Sequence, residues 1–163
     1  MALALAHRAR YFRPVSARQR CGERVCALDL GSVRVGVAVD DELGLFAHAR
    51  AALSGRKPGE LLASLRVFAA EEDIGRFVVG LPLDMTGGTG DAARSAMEFA
   101  KRIEKVTGIA VELWDERLTT VQASRNLAAT DVRGPKARRR IDGEAACFIL
   151  QSWLDAHPAR RKL

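Results

Sequence analysis

The sequence contains no long hydrophobic run. Over its 163 residues, no apolar stretch approaches the roughly 18 residues that a transmembrane helix needs, which excludes an integral membrane protein. Yet 48% of the residues are hydrophobic, a proportion typical of globular proteins, so a chain that is disordered throughout is excluded as well. The length fits one domain with a sizeable core.

Cysteine and histidine are too few and too scattered for a zinc site. The three cysteines, Cys21, Cys26 and Cys147, form no C-x-x-C pair, and the three histidines stand apart from one another. A structural zinc ion needs about four such ligands close together. We therefore expect free thiols, which are typical of a reducing compartment, and predict a cytoplasmic protein.

Acidic residues are absent from residues 1–22, which carry five arginines. The apolar residues come before these charges, unlike in a secretory signal, and Ser16 is the single serine or threonine, unlike in an organelle transit peptide. We interpret residues 1–22 as a flexible basic extension, or as sequence upstream of the true start, and residues 23–163 as a single domain. That domain has 21 basic and 20 acidic residues, so the net charge of +6 does not by itself indicate a nucleic-acid partner.

Hydrophobic periodicity predicts an α/β fold with the element order β-β-β-α-β-α-β-α-α. The predicted strands are 24–30, 33–39, 46–52, 77–81 and 109–114, and the predicted helices are 58–69, 92–106, 119–129 and a last helix from Asp142. The tight Gly31-Ser32 connection makes the first two strands antiparallel neighbours. The later crossovers then give a mixed five-stranded central sheet with helices on both faces. No internal repeat or second core is visible.

Carboxylates stand at the ends of three predicted elements that are far apart in the sequence. Asp29 ends the first strand, Asp115 and Glu116 end the last strand, and Asp142 begins the final helix. Ligands of such sheets gather at the carboxyl ends of the strands, and strand alternation lets only one of the neighbours Asp115 and Glu116 face that edge. Structural roles are the alternative: a turn residue for Asp29, an ion pair with Arg117 for Asp115 and a helix N-cap for Asp142.

Three converging carboxylates need a cation, and hard oxygen ligands favour Mg²⁺ or Mn²⁺. A two-metal carboxylate site is suited to phosphodiester hydrolysis, because one ion activates water while the other stabilises the leaving oxygen. These acids therefore predict a metal-dependent hydrolase.

A basic run, residues 133–140, lies in a predicted loop directly before Asp142. Such a run is usually a solvated surface. Its position beside one predicted metal ligand, and that of Arg117 beside Glu116, favours contact with phosphates instead. The predicted substrate-binding cations are Arg117, Arg138, Arg139 and Arg140.

Four blocks, in this order and spacing, resemble the YqgF/RuvX family: ALDLGSVRVGVAVDDELG, VVGLPLDMTGGTG, DERLTT and RRRIDGEAACFIL. The family is a branch of the ribonuclease H-like fold, with members described as Holliday-junction resolvases and as nucleases that mature the 5′ end of 16S ribosomal RNA. The resemblance implies that the catalytic, metal-binding acids are Asp29, Glu116 and Asp142. It also implies substrate contacts in the glycine-rich loop at Gly80 and Gly87.

The sequence departs from the family pattern at two places. In the glycine-rich loop, where the family usually has an Asn and an Asp, this chain has Asp84 and Thr86. After the second strand, the usual Ser-Asp is replaced by Asp40-Asp41. The acids that bind metal are retained, so these changes affect the expected substrate contacts rather than the chemistry.

The predicted function is a metal-dependent nuclease acting on structured nucleic acid, either pre-16S ribosomal RNA or a Holliday junction. The predicted partner is a nucleic acid and not a membrane. The sequence leaves the oligomeric state open: a junction resolvase usually acts as a symmetric dimer, whereas a nuclease that trims an RNA end could be a monomer. One alternative is a non-catalytic nucleic-acid-binding module. Another is an actin/Hsp70-like phosphotransferase. That architecture requires two such domains, whereas this chain has the length of one domain, and the sequence also lacks the Walker motif of many nucleotide-binding proteins.

Overall fold

A mixed five-stranded sheet lies at the centre of the structure, a computed structural model that describes residues 24–84, 88–118 and 135–160. The strands are β1 (Arg24–Leu30), β2 (Arg34–Asp40), β3 (Ala47–Ser54), β4 (Ile74–Leu81) and β5 (Ala110–Asp115). Their spatial order is β3-β2-β1-β4-β5. Pairing is antiparallel from β3 to β1 and parallel from β1 to β5, which confirms the predicted mixed sheet and its antiparallel first hairpin.

In the described part of the chain, three helices cover the two faces of this sheet. They are α1 (Pro58–Glu71), α2 (Asp91–Thr107) and α3 (Pro135–Ala156), and short 3₁₀ turns follow β5 (Glu116–Leu118) and α3 (Pro158–Arg160). Helices α1 and α2 contact each other and share one hydrophobic core, while α3 packs on the opposite face. The prediction of helices on both faces is confirmed. The helix predicted over 119–129 lies outside the described residues.

Side-chain alternation in the central strand builds both cores at once. Cys26 and Leu28 of β1 point into the core under α1 and α2, whereas Val25 and Ala27 point into the core under α3. All four are fully buried, and burying a side chain of the size of valine or leucine contributes about 1.5–3 kcal/mol. A strand that is apolar on both faces is expected where both faces are covered.

Strand β4 begins at Ile74, three residues earlier than the apolar run from Phe77 predicts. The intervening Arg76 carries a charge that is unusual in a buried strand, yet its exposure is only 3%. Its guanidinium pairs with Glu112 of β5 at 3.4 Å and lies 5.9 Å from the centre of the Trp153 ring. A partner on the neighbouring strand therefore extends β4 beyond its apolar part.

Helix α3 begins at Pro135, seven residues before the predicted start at Asp142. The prediction that residues 135–140 form a loop is therefore wrong, and so is the alternative that Asp142 caps the helix. Proline is favoured in a first helical turn, and the lysine, alanine and arginines that follow have high helix propensity. Residues 135–140 of the basic run are thus helical, continuous with the helix that packs on the sheet.

Cys26 and Cys147 are free thiols within the described part of the chain. Burial raises the pKa of both thiols, so they are poor nucleophiles. Among the described residues, no helix combines the length and apolar character that crossing a bilayer requires.

Candidate active site

Asp29 lies near the carboxyl end of β1, on the face of the sheet that α3 covers. Alternation puts its side chain on the same face as Ala27, which belongs to the core under α3. Its exposure is only 7%. Because Leu28 pairs with Val79 of the parallel strand β4, the next residue of β4, Gly80, is the neighbour of Asp29 across the sheet.

Glu116 begins the 3₁₀ turn after β5 and directs its side chain back over β4. It is 2% exposed, and its Oε1 lies 2.5 Å from the point that a Cβ on Gly80 would occupy. Its carboxylate therefore fills the space that the glycine leaves open. Asp29 and Glu116 thus lie at the ends of the two strands that flank β4, because β4 lies between β1 and β5 in the sheet.

The neighbouring acid, Asp115, takes a different direction and binds Arg117. Both Asp115 carboxylate oxygens accept hydrogen bonds from the Arg117 guanidinium, the shortest at 2.6 Å from Nη2, and the backbone N–H of Arg117 donates to Asp115 Oδ1 at 3.0 Å. The structural alternative for Asp115, an ion pair with Arg117, is therefore confirmed. Of the two adjacent acids, Glu116 is the one whose carboxylate lies over β4.

Arg117 also reaches the glycine-rich loop that follows β4. Its Nη1 donates to the backbone oxygen of Asp84 at 3.4 Å. The Asp84 carboxylate in turn accepts a hydrogen bond from the backbone N–H of Gly88 at 2.5 Å. Arg117, predicted as a phosphate contact, thus links the end of β5 to this loop, and the loop leads into α2 at Gly90.

Several predicted site residues belong partly or wholly to the part of the chain that is not described. Gly87 is one of them. The backbone of Asp142 and of residues 135–140 lies in α3, but their side chains are outside the described set. Helix α3 nevertheless reaches the site farther along, because Ile149 Cδ1 lies 2.7 Å from the same Cβ position on Gly80 that Glu116 approaches.

Asp29 and Glu116 have the donor chemistry of a magnesium or manganese site. Both are carboxylates, both are buried, and they lie at the ends of the two strands on either side of Gly80, and carboxylate oxygens are the ligands that these hard cations prefer. Among the described side chains, no group of three His, Cys, Asp or Glu residues could hold a metal ion. The predicted third ligand, Asp142, is not in that set, so the chemistry of Asp29 and Glu116 fits the predicted site, and all three residues stay predicted ligands.

Two features of this edge are missing from the sequence prediction. The first is the role of Asp84, which stood out only as a departure from a family pattern, although an aspartate before a glycine-rich turn commonly bonds a later backbone N–H. The second is the contact of Glu116 with Gly80. It joins residues 36 positions apart in the sequence, and no local pattern signals it.

The sequence matches the RuvX family, described as Holliday junction resolvase, over residues 23–156. A relative from Myxococcus xanthus (strain DK1622), called "Putative pre-16S rRNA nuclease", is 45% identical over 134 residues, which cover 82% of this chain and 89% of the relative. A relative of the same name from Anaeromyxobacter dehalogenans (strain 2CP-1) is 43% identical over 132 residues, covering 81% of this chain and 96% of the relative.

Among solved structures, two of Thermus thermophilus RuvC are similar, one of them in complex with a Holliday junction substrate. Each superposes with a TM-score of 0.52 and covers 98% of RuvC, with coverage of this chain of 86% and 85%. The sequence identities are 12% and 11%, so the likeness shows the fold alone. That fold is the ribonuclease H-like fold that the sequence resemblance implied.

Proposed function

This chain belongs to the RuvX family, and we propose that it is a metal-dependent nuclease that hydrolyses phosphodiester bonds in structured nucleic acid. The observation that carries the proposal is the placement of two buried carboxylates, Asp29 and Glu116, at the carboxyl ends of the two strands that flank β4. Ligand sites of open α/β sheets lie at this edge.

The residues that would hold the metal are Asp29, Glu116 and Asp142. Bound Mg²⁺ or Mn²⁺, as one ion or as the pair of a two-metal site, would supply positive charge that lowers the pKa of the attacking water and stabilises the leaving oxygen. Asp29 and Glu116 contribute fixed carboxylates in a site with little water, where electrostatic interactions are strong. The Arg117–Asp115 ion pair holds the end of β5, from which Glu116 departs, against the glycine-rich loop.

We propose pre-16S ribosomal RNA as the substrate, because the curated relatives at 43–45% identity carry that name. This substrate accords with a cytoplasmic protein. The family description favours a second candidate, the Holliday junction. Phosphate contacts are assigned to Arg138, Arg139 and Arg140 of α3 and to the backbone of the glycine-rich loop at Gly87, since cations and backbone N–H groups bind phosphates. Gly80, which the resemblance places in that loop, lies instead within strand β4.

The test offers the purified protein a pre-16S ribosomal RNA fragment and a four-way DNA junction, with Mg²⁺, with Mn²⁺ and with a chelator. We expect metal-dependent cleavage of at least one substrate, and a loss of about 10³-fold or more in Asp29→Asn, because one metal ligand becomes neutral. The matched control is Asp40→Asn. It changes another buried aspartate on the neighbouring strand, at the opposite end of the sheet, and should lower stability while retaining cleavage.

Two results would contradict the proposal. Binding of either substrate without metal-dependent cleavage would favour the non-catalytic nucleic-acid-binding module. Cleavage that survives Asp29→Asn would mean that the nuclease centre lies elsewhere in the chain, or that a contaminating nuclease cleaves the substrate. The solution mass, measured on the same sample, distinguishes a monomer from the homodimer expected of a junction resolvase.

A further inference from the structure

Gly80 lies where β4 passes beneath two side chains that come from different elements. A Cβ at this position would be 2.5 Å from Glu116 Oε1, 3.3 Å from Glu116 Cδ and 2.7 Å from Ile149 Cδ1. Neither neighbour stands in open solvent, since Glu116 is 2% exposed and Ile149 is fully buried. The glycine is therefore required here by space, because any side chain would overlap with the carboxylate of Glu116.

We propose that Gly80 is a positioning residue for Glu116. Its missing side chain lets the Glu116 carboxylate lie directly on β4, next to the strand that carries Asp29. This inference rests on the proposed function, because it names the residue that sets the position of one of the two described metal-binding carboxylates. It differs from the role that the family resemblance implies for Gly80, which is contact with the substrate.

The overlap falls on side chains rather than on the backbone. Both atoms closest to a methyl group added at Gly80 are the ends of side chains, not backbone atoms. Such a methyl group would make the Glu116 carboxylate retreat by roughly 0.5–1 Å to reach ordinary van der Waals distance. Rotation of the Glu116 side chain can provide that movement without a change in the strands. A metal ligand displaced by this distance no longer meets the geometry that its cation requires.

The two roles of Gly80 predict different kinetic changes. If Gly80 contacts the substrate, a methyl group should raise KM and leave the affinity for the metal unchanged. If Gly80 positions Glu116, the methyl group should weaken metal binding and lower kcat, and KM should change little. Metal affinity can be measured by calorimetry with Mn²⁺ alone, so this readout does not depend on catalysis.

The experiment compares Gly80→Ala with the matched control Gly59→Ala. A Cβ on Gly59, in the first turn of α1, would meet no atom within 4 Å, so the control adds the same methyl group in open space. For Gly80→Ala we expect the Kd for Mn²⁺ to rise about 10-fold or more and kcat on the cleaved substrate to fall about 100-fold. KM should stay within about 3-fold of the wild type, and Gly59→Ala should match the wild type in all three quantities.

A second pair of variants separates Glu116 from Ile149. Ile149→Val removes the Cδ1 atom that also approaches Gly80, so in Gly80→Ala/Ile149→Val the remaining overlap is with Glu116. We expect the double variant to fold like Ile149→Val and to keep the weak Mn²⁺ binding and low kcat. If Gly80→Ala alone folds poorly, the double variant still tests the positioning role of Gly80. Recovery of both quantities to the level of Ile149→Val would overturn the proposal, because the defect would then come from the packing of α3.

The outcomes for the wild type distinguish this inference from the proposed function. A wild type that binds Mn²⁺ and cleaves, with Gly80→Ala indistinguishable from it, overturns the positioning role alone. A Gly80→Ala variant with raised KM and unchanged Kd for Mn²⁺ does the same, and favours substrate contact. A wild type that neither binds Mn²⁺ nor cleaves overturns the proposed function together with this inference.

Discussion

Two adjacent acids at the end of β5 differ in what their carboxylates meet. Asp115 is held by the guanidinium of Arg117, at 2.6 Å in the shortest contact, whereas Glu116 is almost fully buried over Gly80. An aspartate in a bidentate ion pair stabilises local structure, whereas a buried carboxylate at the carboxyl edge of the sheet is suited to the proposed cation. The two side chains thus meet different surroundings one residue apart.

This difference predicts a ranking of two conservative variants. Glu116→Gln should lower cleavage by several orders of magnitude, about 10³-fold or more, because it removes a charged metal ligand. Asp115→Asn should lower cleavage only partly and should lower the free energy of unfolding by about 1 kcal/mol, because it weakens the ion pair with Arg117. Initial rates and urea unfolding measure the two effects. The reverse order of activities would mean that Asp115 is the ligand.

A second carboxylate ion pair, far from the site, predicts a pH dependence of stability. Glu72, at the end of α1, accepts hydrogen bonds from Arg24 of β1 and Arg50 of β3, and the Arg50 hydrogen bond is the main reason that its pKa lies below the usual 4.5. A carboxyl group with a lowered native pKa stabilises the fold above its unfolded pKa, and that contribution is lost as the pH falls through the native pKa.

We therefore expect Glu72→Gln to be less stable than the wild type by about 1 kcal/mol at pH 7, since the pair is partly exposed to solvent. The difference should persist down to about pH 5 and shrink toward zero below about pH 4. Urea unfolding at a series of pH values measures it. Glu60→Gln is the control, because the Glu60–Lys57 pair is largely exposed, with side-chain exposures of 71% and 72%. A difference that is independent of pH would exclude the ion pair as its cause.

Strands and helices differ in how well local sequence predicts them. The bounds of β1, Arg24–Leu30, are as predicted, because an apolar run between a charge and a glycine marks both ends. β4 and α3 begin earlier than predicted. In β4 the buried Arg76 has a partner on β5, and in α3 the charged first turns follow a proline. Sequence patterns thus predict the core of an element better than an end that depends on a distant partner.

In the site, too, local features are predictable from the sequence, and contacts between distant residues are not. The carboxyl ends of β1 and β5 are predictable from periodicity, which places Asp29 and the pair Asp115-Glu116 at that edge. The choice of Glu116 comes from the family resemblance. The turn of Glu116 over Gly80 is not predictable in this way, since it depends on the register of β4 with both of its neighbours. The ion pair of Asp115 is predictable because its partner is two residues away in the sequence.

At the scale of an element, the helical start of α3 changes the design of the test for its basic run. Replacing Arg138, Arg139 and Arg140 with alanine removes three charges without loss of helix propensity. We expect weaker nucleic-acid binding and a dependence of log Kd on log salt that is about one to three units less steep. Filter binding at several salt concentrations measures this slope.

The matched control removes three charges from another helix, at the exposed Lys101, Arg102 and Lys105 of α2. If this control weakens binding as much as the α3 variant does, the effect is one of net charge rather than of location. Removal of residues 1–20 should have a smaller effect at cell-like salt, because these residues lie outside the predicted domain that carries the site. A larger effect of that removal would mean that the basic run does not bind the substrate.

The whole molecule joins two hydrophobic cores through one sheet, and the predicted metal ligands lie on the α3 side of it. Asp29 belongs to β1, Glu116 follows β5, and Asp142 belongs to α3, so a cation held by all three would connect the central strand, an edge strand and the covering helix. A ligand that binds only the native state stabilises it by mass action. Metal binding should therefore appear in the unfolding of the entire domain.

We expect Mg²⁺ or Mn²⁺ at ten times its Kd to raise the free energy of unfolding by about 1.4 kcal/mol, which is roughly 3–6 °C in Tm for a domain of this size. Asp142→Asn should fold normally and lose this shift, because a neutral amide is a weaker ligand for a hard cation. Asp155→Asn, an exposed position near the other end of α3, should retain it. Scanning calorimetry with and without metal measures the shift, and an unchanged response in Asp142→Asn would show that this residue is not a ligand. Asp29 and Glu116 would then have to hold the cation without α3. The functional role of that helix would be limited to packing and to its basic first turns.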